Sequence, residues 1–450
     1  MRSRSHLLPW LLIILISLLV VLFILRLQNR VQVLAVHPGP GEQVSSNGRF
    51  GVTFNQPMDA LSVEVRFTIH PSLEGSLAWD GSTLWFTPLQ QLDRSQVYQV
   101  TISAGAQSID GRKLWKAITW QASVREPALL YLVLDSDGGD LFRFDFDTGQ
   151  SASLTQSANA VIDFAPSPSG DLIAYTQRNA IGGYDLWLTD RDGVHPQMLL
   201  ECDADRCSQP AWSVDEKWIA YDRESFQPGE KRYLPSRVWT LDTASGETAP
   251  LYQEPQAYGH SPSFSPDGER LAIYDTVNNA IRILELRTSQ QSAISTVYPG
   301  VGDWSPDGEE LIFVDLAAGI LEPNVAIYIV NFAHQELLPA PGSVIHHMDF
   351  DPPQWSPDGE WIAYAARPVD SSVNKSIWVK NLTERDPLML TDDPSATFVA
   401  YRWDPRGERL AFQRYPHSGS TSHASIWIWE RSTGQTRLLI ENGARPEWLP

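Results

Sequence analysis

One phrase recurs along the C-terminal part of the chain and limits its fold more than any other feature. It reads "PSPSGDLIAY" from Pro166, "WSVDEKWIAY" from Trp212, "FSPDGERLAIY" from Phe264, "WSPDGEELIF" from Trp304, "WSPDGEWIAY" from Trp355 and "WDPRGERLAF" from Trp403. A shortened copy, "PEWLP", contains Trp448. The six intervals from Pro166 to Trp448 average about 47 residues, a spacing that suits repeated four-stranded units. Each head is followed by a tail with a strand and a turn: "DLWLTDRDG", "RVWTLDTASG", "AIRILELRTS", "AIYIVNFAHQ", "SIWVKNLTER" and "SIWIWERSTG".

The two ends of the repeat are complementary. One further tail, "DLFRFDFDTGQSASLT" from Asp140, precedes the first head and follows an isolated strand, "ALLYLVLD". The first copy therefore lacks its inner strand, and the last copy is only an inner strand. Joining them closes a ring of seven blades, and closure removes the unburied blade faces and strand edges of an open ring. The expected fold over residues 125–450 is an all-β, seven-bladed propeller closed by the C-terminal strand.

These heads and tails resemble the WD-like propeller repeats of TolB and of the N-terminal domains of prolyl oligopeptidase-type peptidases. The resemblance spans Ala128 to Pro450, and the "WSPDG" heads are its specific part. It implies a central funnel that holds protein partners or gates access. "PSPSG" and "WSVDE" depart from the pattern.

Residues 31–124 read differently. "STLWFTPLQ" and "QVYQVTIS" alternate apolar and polar residues with period two, as half-buried strands do. Together with "GRFGVTFNQPMD" and "KAITWQASV" they predict a β-sandwich. The pieces "VTFNQPMD", "LWFTP", "LDRSQVYQVTI" and "DGRKL" resemble, in order, the bacterial Ig-like domains of S-layer proteins. That resemblance implies a spacer or adhesive sandwich and brings no catalytic residues.

Residues 1–30 read as a transmembrane signal anchor. Arg2 and Arg4 precede an apolar run from Leu7 to Leu25, whose nineteen residues reach about 28 Å as a helix, close to the thickness of a hydrocarbon core. A cleaved signal peptide is the alternative, but "RLQNRVQVLA" lacks a small-x-small site close behind the run. Arginines flank the run on both sides, so the positive-inside count is nearly tied. Cys202 and Cys207, the only cysteines, lie close together in "ECDADRCSQP". A short disulfide loop in an oxidising compartment suits them, with free thiols as the alternative. The expected location is the cytoplasmic membrane, with the bulk of the chain outside the cytoplasm.

A formal net charge of −20 argues against nucleic acid as a partner, because phosphate is bound by clustered Lys and Arg. The Asp of "SPDG" looks like chemistry in one copy. Full copies begin at Ser265, Ser305 and Ser356, on different blades, and such a set cannot meet at one active site. Pro presets the first central turn position, Asp suits the second, and Gly takes the positive φ that follows. "GHSPS" around Ser261 lacks the final Gly of a nucleophile elbow.

Two groups remain as ligand-facing candidates. In "VIHHMDFDPP", His346, His347, Asp349 and Asp351 precede an inner strand near the funnel mouth; strand alternation would send the two adjacent His to opposite faces. The residues just before four head tryptophans, Asp303, Gln354, Arg402 and Glu447, form a charged and non-uniform series near the axis. No catalytic set, metal site or cofactor site is complete. The expectation is a membrane-anchored, non-enzymatic binding or scaffold protein whose propeller takes a protein, peptide or glycan. A propeller hydrolase of lactonase or glycosidase type, with its site in the funnel, is the alternative.

Overall fold

The computed structural model describes residues 30–135, 138–158, 160–316, 325–334, 336–345, 351–367, 374–384, 386–417 and 423–450. The expected anchor lies outside the described residues, among which no helix is long and apolar enough to cross a membrane. The chain divides into two compact units, one reaching Arg125 and the other starting at Glu126.

The first unit is a two-sheet sandwich. One sheet orders Val33–His37, Phe50–Phe54, Thr83–Pro88 and Gly75–Asp80; the other orders Gln43–Val44, Ile118–Val124, Val97–Ile102 and Phe67–His70. Because side chains alternate across a strand, every second residue faces the partner sheet. Phe50, Val52, Phe54, Leu84 and Phe86 thus meet Tyr98, Val100, Ile102, Trp120, Ala122 and Val124 in one core. Burying each large apolar side chain contributes about 1.5–3 kcal/mol. A short helix, Ala60–Glu64, starts where the Asp59 carboxylate accepts the Ser62 N–H at 2.9 Å.

The described residues of the second unit build seven four-stranded blades. Blade 1 pairs the closing strand Ala444–Leu449 with Ala128–Asp135, followed by Gly138–Asp145 and Gln150–Ser153. Blade 2 runs Val161–Pro166, Leu172–Arg178, Tyr184–Asp190 and Gln197–Leu200. Blade 3 runs Arg206–Trp212, Trp218–Glu224, Arg237–Asp242 and Thr248–Pro250, with an added hairpin of Phe226–Gln227 and Arg232–Tyr233. Blade 4 consists of Gly259–Phe264, Arg270–Asp275, Ala280–Glu285 and Gln291–Ser295. Blade 5 consists of Asp303–Trp304, Glu310–Leu316, Val325–Asn331 and Glu336–Ile345. Gln354–Trp355, Trp361–Ala366, Ser376–Asn381 and Leu388–Met389 form blade 6, and Ala396–Trp403, Arg409–Pro416, Ser425–Glu430 and Gln435–Ile440 form blade 7.

The head phrase is a turn between a blade's first two strands, built the same way each time. In blade 5 the Ser305 N–H bonds Glu310 carbonyl at 2.9 Å, and the Ser305 hydroxyl accepts the Glu310 N–H at 2.9 Å. The same hydroxyl donates to the Asp307 carboxylate, which also accepts the Glu309 N–H at 3.1 Å. Ser356 and Asp358 repeat this in blade 6. Gly308 and Gly359 close the turns at φ of 76° and 71°, a conformation that favours glycine. Asp404 does the work of both Ser and Asp in blade 7, accepting the Glu408 and Arg409 N–H groups. Every Asp of the motif is thus occupied by its own turn.

The head tryptophans join neighbouring blades. Trp355 packs among Ile312 and Ile327 of blade 5 and Ile362 and Tyr364 of its own blade. The indoles of Trp212, Trp304 and Trp448 donate to the carbonyls of Ala165, Ser263 and Arg402, each on the inner strand of the preceding blade. At the closure Trp448 stacks on Phe146 with centroids 5.4 Å apart, and Arg191 donates to the Pro450 carbonyl at 2.9 Å. A Cβ on Gly170 would lie 2.2 Å from that carbonyl oxygen, so blade 2 accepts the closing strand only with glycine at this position.

Removing Arg445–Pro450 strips blade 1 of its inner strand and uncovers both neighbours. We expect a markedly lower melting temperature or loss of soluble protein, read by thermal unfolding of the full and shortened chains. Identical melting curves would mean that the ring does not depend on this strand.

Candidate ligand-binding face at the propeller axis

A propeller's inner strands stand nearest its axis, and their residues differ from blade to blade where the heads agree. Each of four inner strands bulges three residues before its head position: Gln209, Ser261, Ala400 and Arg445 adopt φ of 51°, 58°, 50° and 52°. A bulge re-aims the side chains around it. The recurrence also explains Ser261. Its left-handed backbone is shared by three unrelated residues at the same place, so its conformation belongs to the bulge. The Ser261 hydroxyl meets His260 Nδ1 at 2.8 Å and Gln209 Oε1 at 3.2 Å, and burial lowers the His260 pKa.

Of the four residues before the head tryptophans, Gln354, Arg402 and Glu447 are linked side chain to side chain across blades 6, 7 and 1, and Asp303 of blade 5 reaches the backbone of blade 6. Arg402 Nε donates to Glu447 at 2.6 Å. With its amide oxygen turned toward Arg402, Gln354 accepts from Nη1 at 2.7 Å and donates to the Tyr401 carbonyl at 2.7 Å. Asp303 accepts the Trp355 N–H at 2.8 Å. Burial pushes the Asp303 carboxyl up to about 6, against the Trp355 N–H and the Arg402 guanidinium, which pull it down. Arg402 and Glu447 nonetheless keep 39% and 32% of their side-chain surface exposed. They are accessible from the axis and held by their neighbours.

A second polar arc lies on blades 2 to 4. Asp163 accepts the Gln209 N–H at 2.8 Å and Asp222 accepts the Ser261 N–H at 3.2 Å. Asp222 is 3% exposed, and its second oxygen has no hydrogen-bond partner among the described residues. Burial pushes its carboxyl well above the usual range, opposed by the Ser261 N–H and reinforced by the charge of Asp163. Nothing in the sequence marks this arc, because "AYDRE" reads as an ordinary strand; only the bulge in the next blade gives Asp222 its partner.

The two expected groups end up in different places. Asp303 and Arg402 join the axial cluster. His346, His347 and Asp349 lie outside the described residues. Asp351, from the same stretch, stands 3.7 Å from the Lys375 ammonium, and its carbonyl accepts from Tyr401 at 3.1 Å. Among the described residues no group of three or more His, Cys, Asp or Glu is arranged to hold a metal ion. Cys202 and Cys207 form a disulfide that closes the connection between blades 2 and 3, with Cα atoms 6.3 Å apart.

Comparison with known proteins agrees with this architecture. Residues 28–123 match the bacterial Ig-like domain. The chain is 25% identical over 274 residues to an uncharacterised protein of Agrobacterium fabrum, covering 56% of this chain and 84% of that one. It is 26% identical over 190 residues to the Tol-Pal system protein TolB of Francisella tularensis, covering 40% of each. The chain therefore spans well under half of that relative. Oligogalacturonate lyase from Vibrio parahaemolyticus superposes with a TM-score of 0.52 at 12% identity, over 82% of this chain and 100% of that one. At that identity the likeness concerns the fold alone.

The raised Asp303 pKa has a signed consequence for stability. Its ionised form is disfavoured by folding, so the group costs stability increasingly as pH rises from about 4 toward 6, and the full cost is present above that. Asp303→Asn keeps an acceptor for the Trp355 N–H and removes the charge. The melting temperature of the variant relative to the native chain should climb across this window and level off above it. A difference independent of pH would show that Asp303 titrates normally.

Proposed function

We propose that this chain is a membrane-anchored, extracytoplasmic binding protein whose propeller holds a protein, peptide or glycan partner at its axial face. The observation that carries the reading is the cluster of Asp303, Gln354, Arg402 and Glu447. These four sit at equivalent places in a repeat yet differ chemically; Gln354, Arg402 and Glu447 are joined side chain to side chain, and Asp303 bonds the backbone N–H of Trp355 beside them. Turn and core positions repeat because every blade makes the same demands on them. Positions that break the pattern while exposing charge answer to something outside the ring. A guanidinium flanked by a carboxylate and an amide offers donors and acceptors side by side, the combination that peptide backbones and sugar hydroxyls both use.

The remaining features agree with this reading. The apolar run from Leu7 to Leu25 supplies an anchor, the Ig-like domain a spacer, and the Cys202–Cys207 pair suits an oxidising compartment. The propeller resembles TolB, a Tol-Pal system protein, in part of its length.

One observation favours a second reading, a hydrolase of glycosides or lactones. Burial pushes the Asp303 carboxyl up to about 6, and the nearby charge of Glu447, ion-paired with Arg402, pushes in the same direction; two neighbouring carboxyl groups are what such enzymes use. Turnover of chromogenic glycosides or lactones that disappears in Asp303→Asn would establish it in place of pure binding.

The test of the binding reading uses the full chain in mild detergent to capture partners from the source's own envelope extract, beside Arg402→Ala. The native chain should retain a partner that the variant holds about tenfold less tightly, the effect of losing one well-placed contact. Equal recovery by both chains, or no specific partner at any salt concentration, would overturn it.

A further inference from the structure

The first unit displays a surface that its own core does not account for. The connection between Val97–Ile102 and Ile118–Val124, residues 103–117, is a rooted hairpin. Ala106 and Leu114 are buried, the Leu114 N–H bonds Ala106 carbonyl at 2.7 Å, and the Gly105 N–H bonds Leu114 carbonyl at 2.8 Å. Gln107 pairs with Lys113, and the Ile109 N–H reaches Pro57 carbonyl at 3.2 Å. On this fixed support Ile109 and Trp115 stand 68% and 69% exposed, with Lys113 and Lys116 exposed beside them. Single exposed apolar residues are ordinary on a protein surface; an exposed indole among lysines on a hydrogen-bonded hairpin is a more specific arrangement.

Arg30 ties this surface to the incoming chain. Its guanidinium lies 4.2 Å from the centre of the Trp115 ring, and its carbonyl accepts from Asn55 at 3.0 Å. The apolar run ends at Leu25, five residues earlier. Even fully extended, five residues span at most about 18 Å, and the headgroup layer on one side of a bilayer is itself roughly 7 Å deep. If Leu7 to Leu25 spans a membrane, Trp115 is held within reach of its headgroups. Tryptophan favours that interface, and each cation near an anionic surface contributes about 1 kcal/mol. Arg30, Arg112, Lys113 and Lys116 outnumber the acids Asp59 and Asp110 on or beside this hairpin, in a chain whose formal net charge is −20. The overall charge repels anionic lipid, and this patch has the opposite sign.

We propose that the surface formed by Arg30, Ile109, Lys113, Trp115 and Lys116 docks onto the headgroups of an anionic bilayer. The proposal rests on the anchor reading above, with the patch fixing how the Ig-like domain meets the membrane. It turns a tether that would swivel freely into a seated one, held by interfacial tryptophan and electrostatic attraction.

The experiment takes the full chain into vesicles of phosphatidylcholine alone or mixed with phosphatidylglycerol. Amine acetylation of Lys113 and Lys116 is followed by peptide mass spectrometry, with exposed Lys231 of the propeller as the internal control. Both lysines should be about three- to tenfold less reactive in the anionic vesicles, the size expected for a contact of about 1 kcal/mol per cation. High salt and Trp115→Ser should each erase the protection, and Lys231 should not change. Equal labelling in both lipids, with the chain still floating with vesicles after an alkaline wash, would overturn the docking and leave the anchor standing. Loss of the chain in that wash would refute the anchor. The same labelling with chain added to preformed anionic vesicles then decides the surface alone, with protection supporting it and no protection overturning it.

Discussion

Trp212, Trp304 and Trp448 each lie between two blades and bond a carbonyl on the inner strand of the blade before. Each indole does two jobs there. Its rings fill the space between twisted sheets that cannot nest flat against each other, and its N–H satisfies a carbonyl at the edge of a short strand. The contact ties blade 3 to blade 2, blade 5 to blade 4 and blade 1 to blade 7, and the last of these closes the ring. Trp448 closes it, carried by the last strand and seated against Phe146 and the Arg402 carbonyl. The guanidinium of Arg409 lies over both rings of that stack, 4.3 Å and 4.9 Å from their centres.

Burial of the head tryptophans also positions the axial cluster. Burying the Trp on one face of the strand leaves the residue before it on the opposite face. In blades 5, 6, 7 and 1 that residue is Asp303, Gln354, Arg402 or Glu447. Their neighbours along the cluster come from different blades, so the site exists only while the ring is closed. Stability and ligand chemistry share one strand, with Glu447 and Trp448 adjacent in it. The polar arc of Asp163 and Asp222 is also built between blades, each carboxylate accepting an N–H from the next blade's bulge.

The bulges separate backbone strain from chemistry. A serine at positive φ with a histidine nitrogen 2.8 Å away would look like an activated nucleophile in isolation. Beside Gln209, Ala400 and Arg445 in the same conformation it is the cost of bending an inner strand, borne by whichever residue occupies the place. Asp307 and Asp358 lose their catalytic look by the same comparison, since each is engaged by its own turn's hydroxyl and N–H groups.

The amino-acid sequence by itself determined the repeat, the two-domain order, the shared blade and the nature of the "SPDG" turn. These depend on local chemistry, in which Pro, Asp and Gly set a turn and alternation sets a face, and each is repeated often enough to be recognised. It also pointed to Asp303 and Arg402, because they stand beside a marked Trp. It did not show the bulges, the Arg402–Glu447 pair or the partner of Asp222. Those depend on contacts between residues 45 and 39 positions apart, made by blades whose curvature no single copy encodes. Nor did it show that Arg30 and Trp115, 85 positions apart, stack at one end of the sandwich. A sheet places side chains by register, and which distant side chains meet across strands or blades was decided only when the tertiary structure closed.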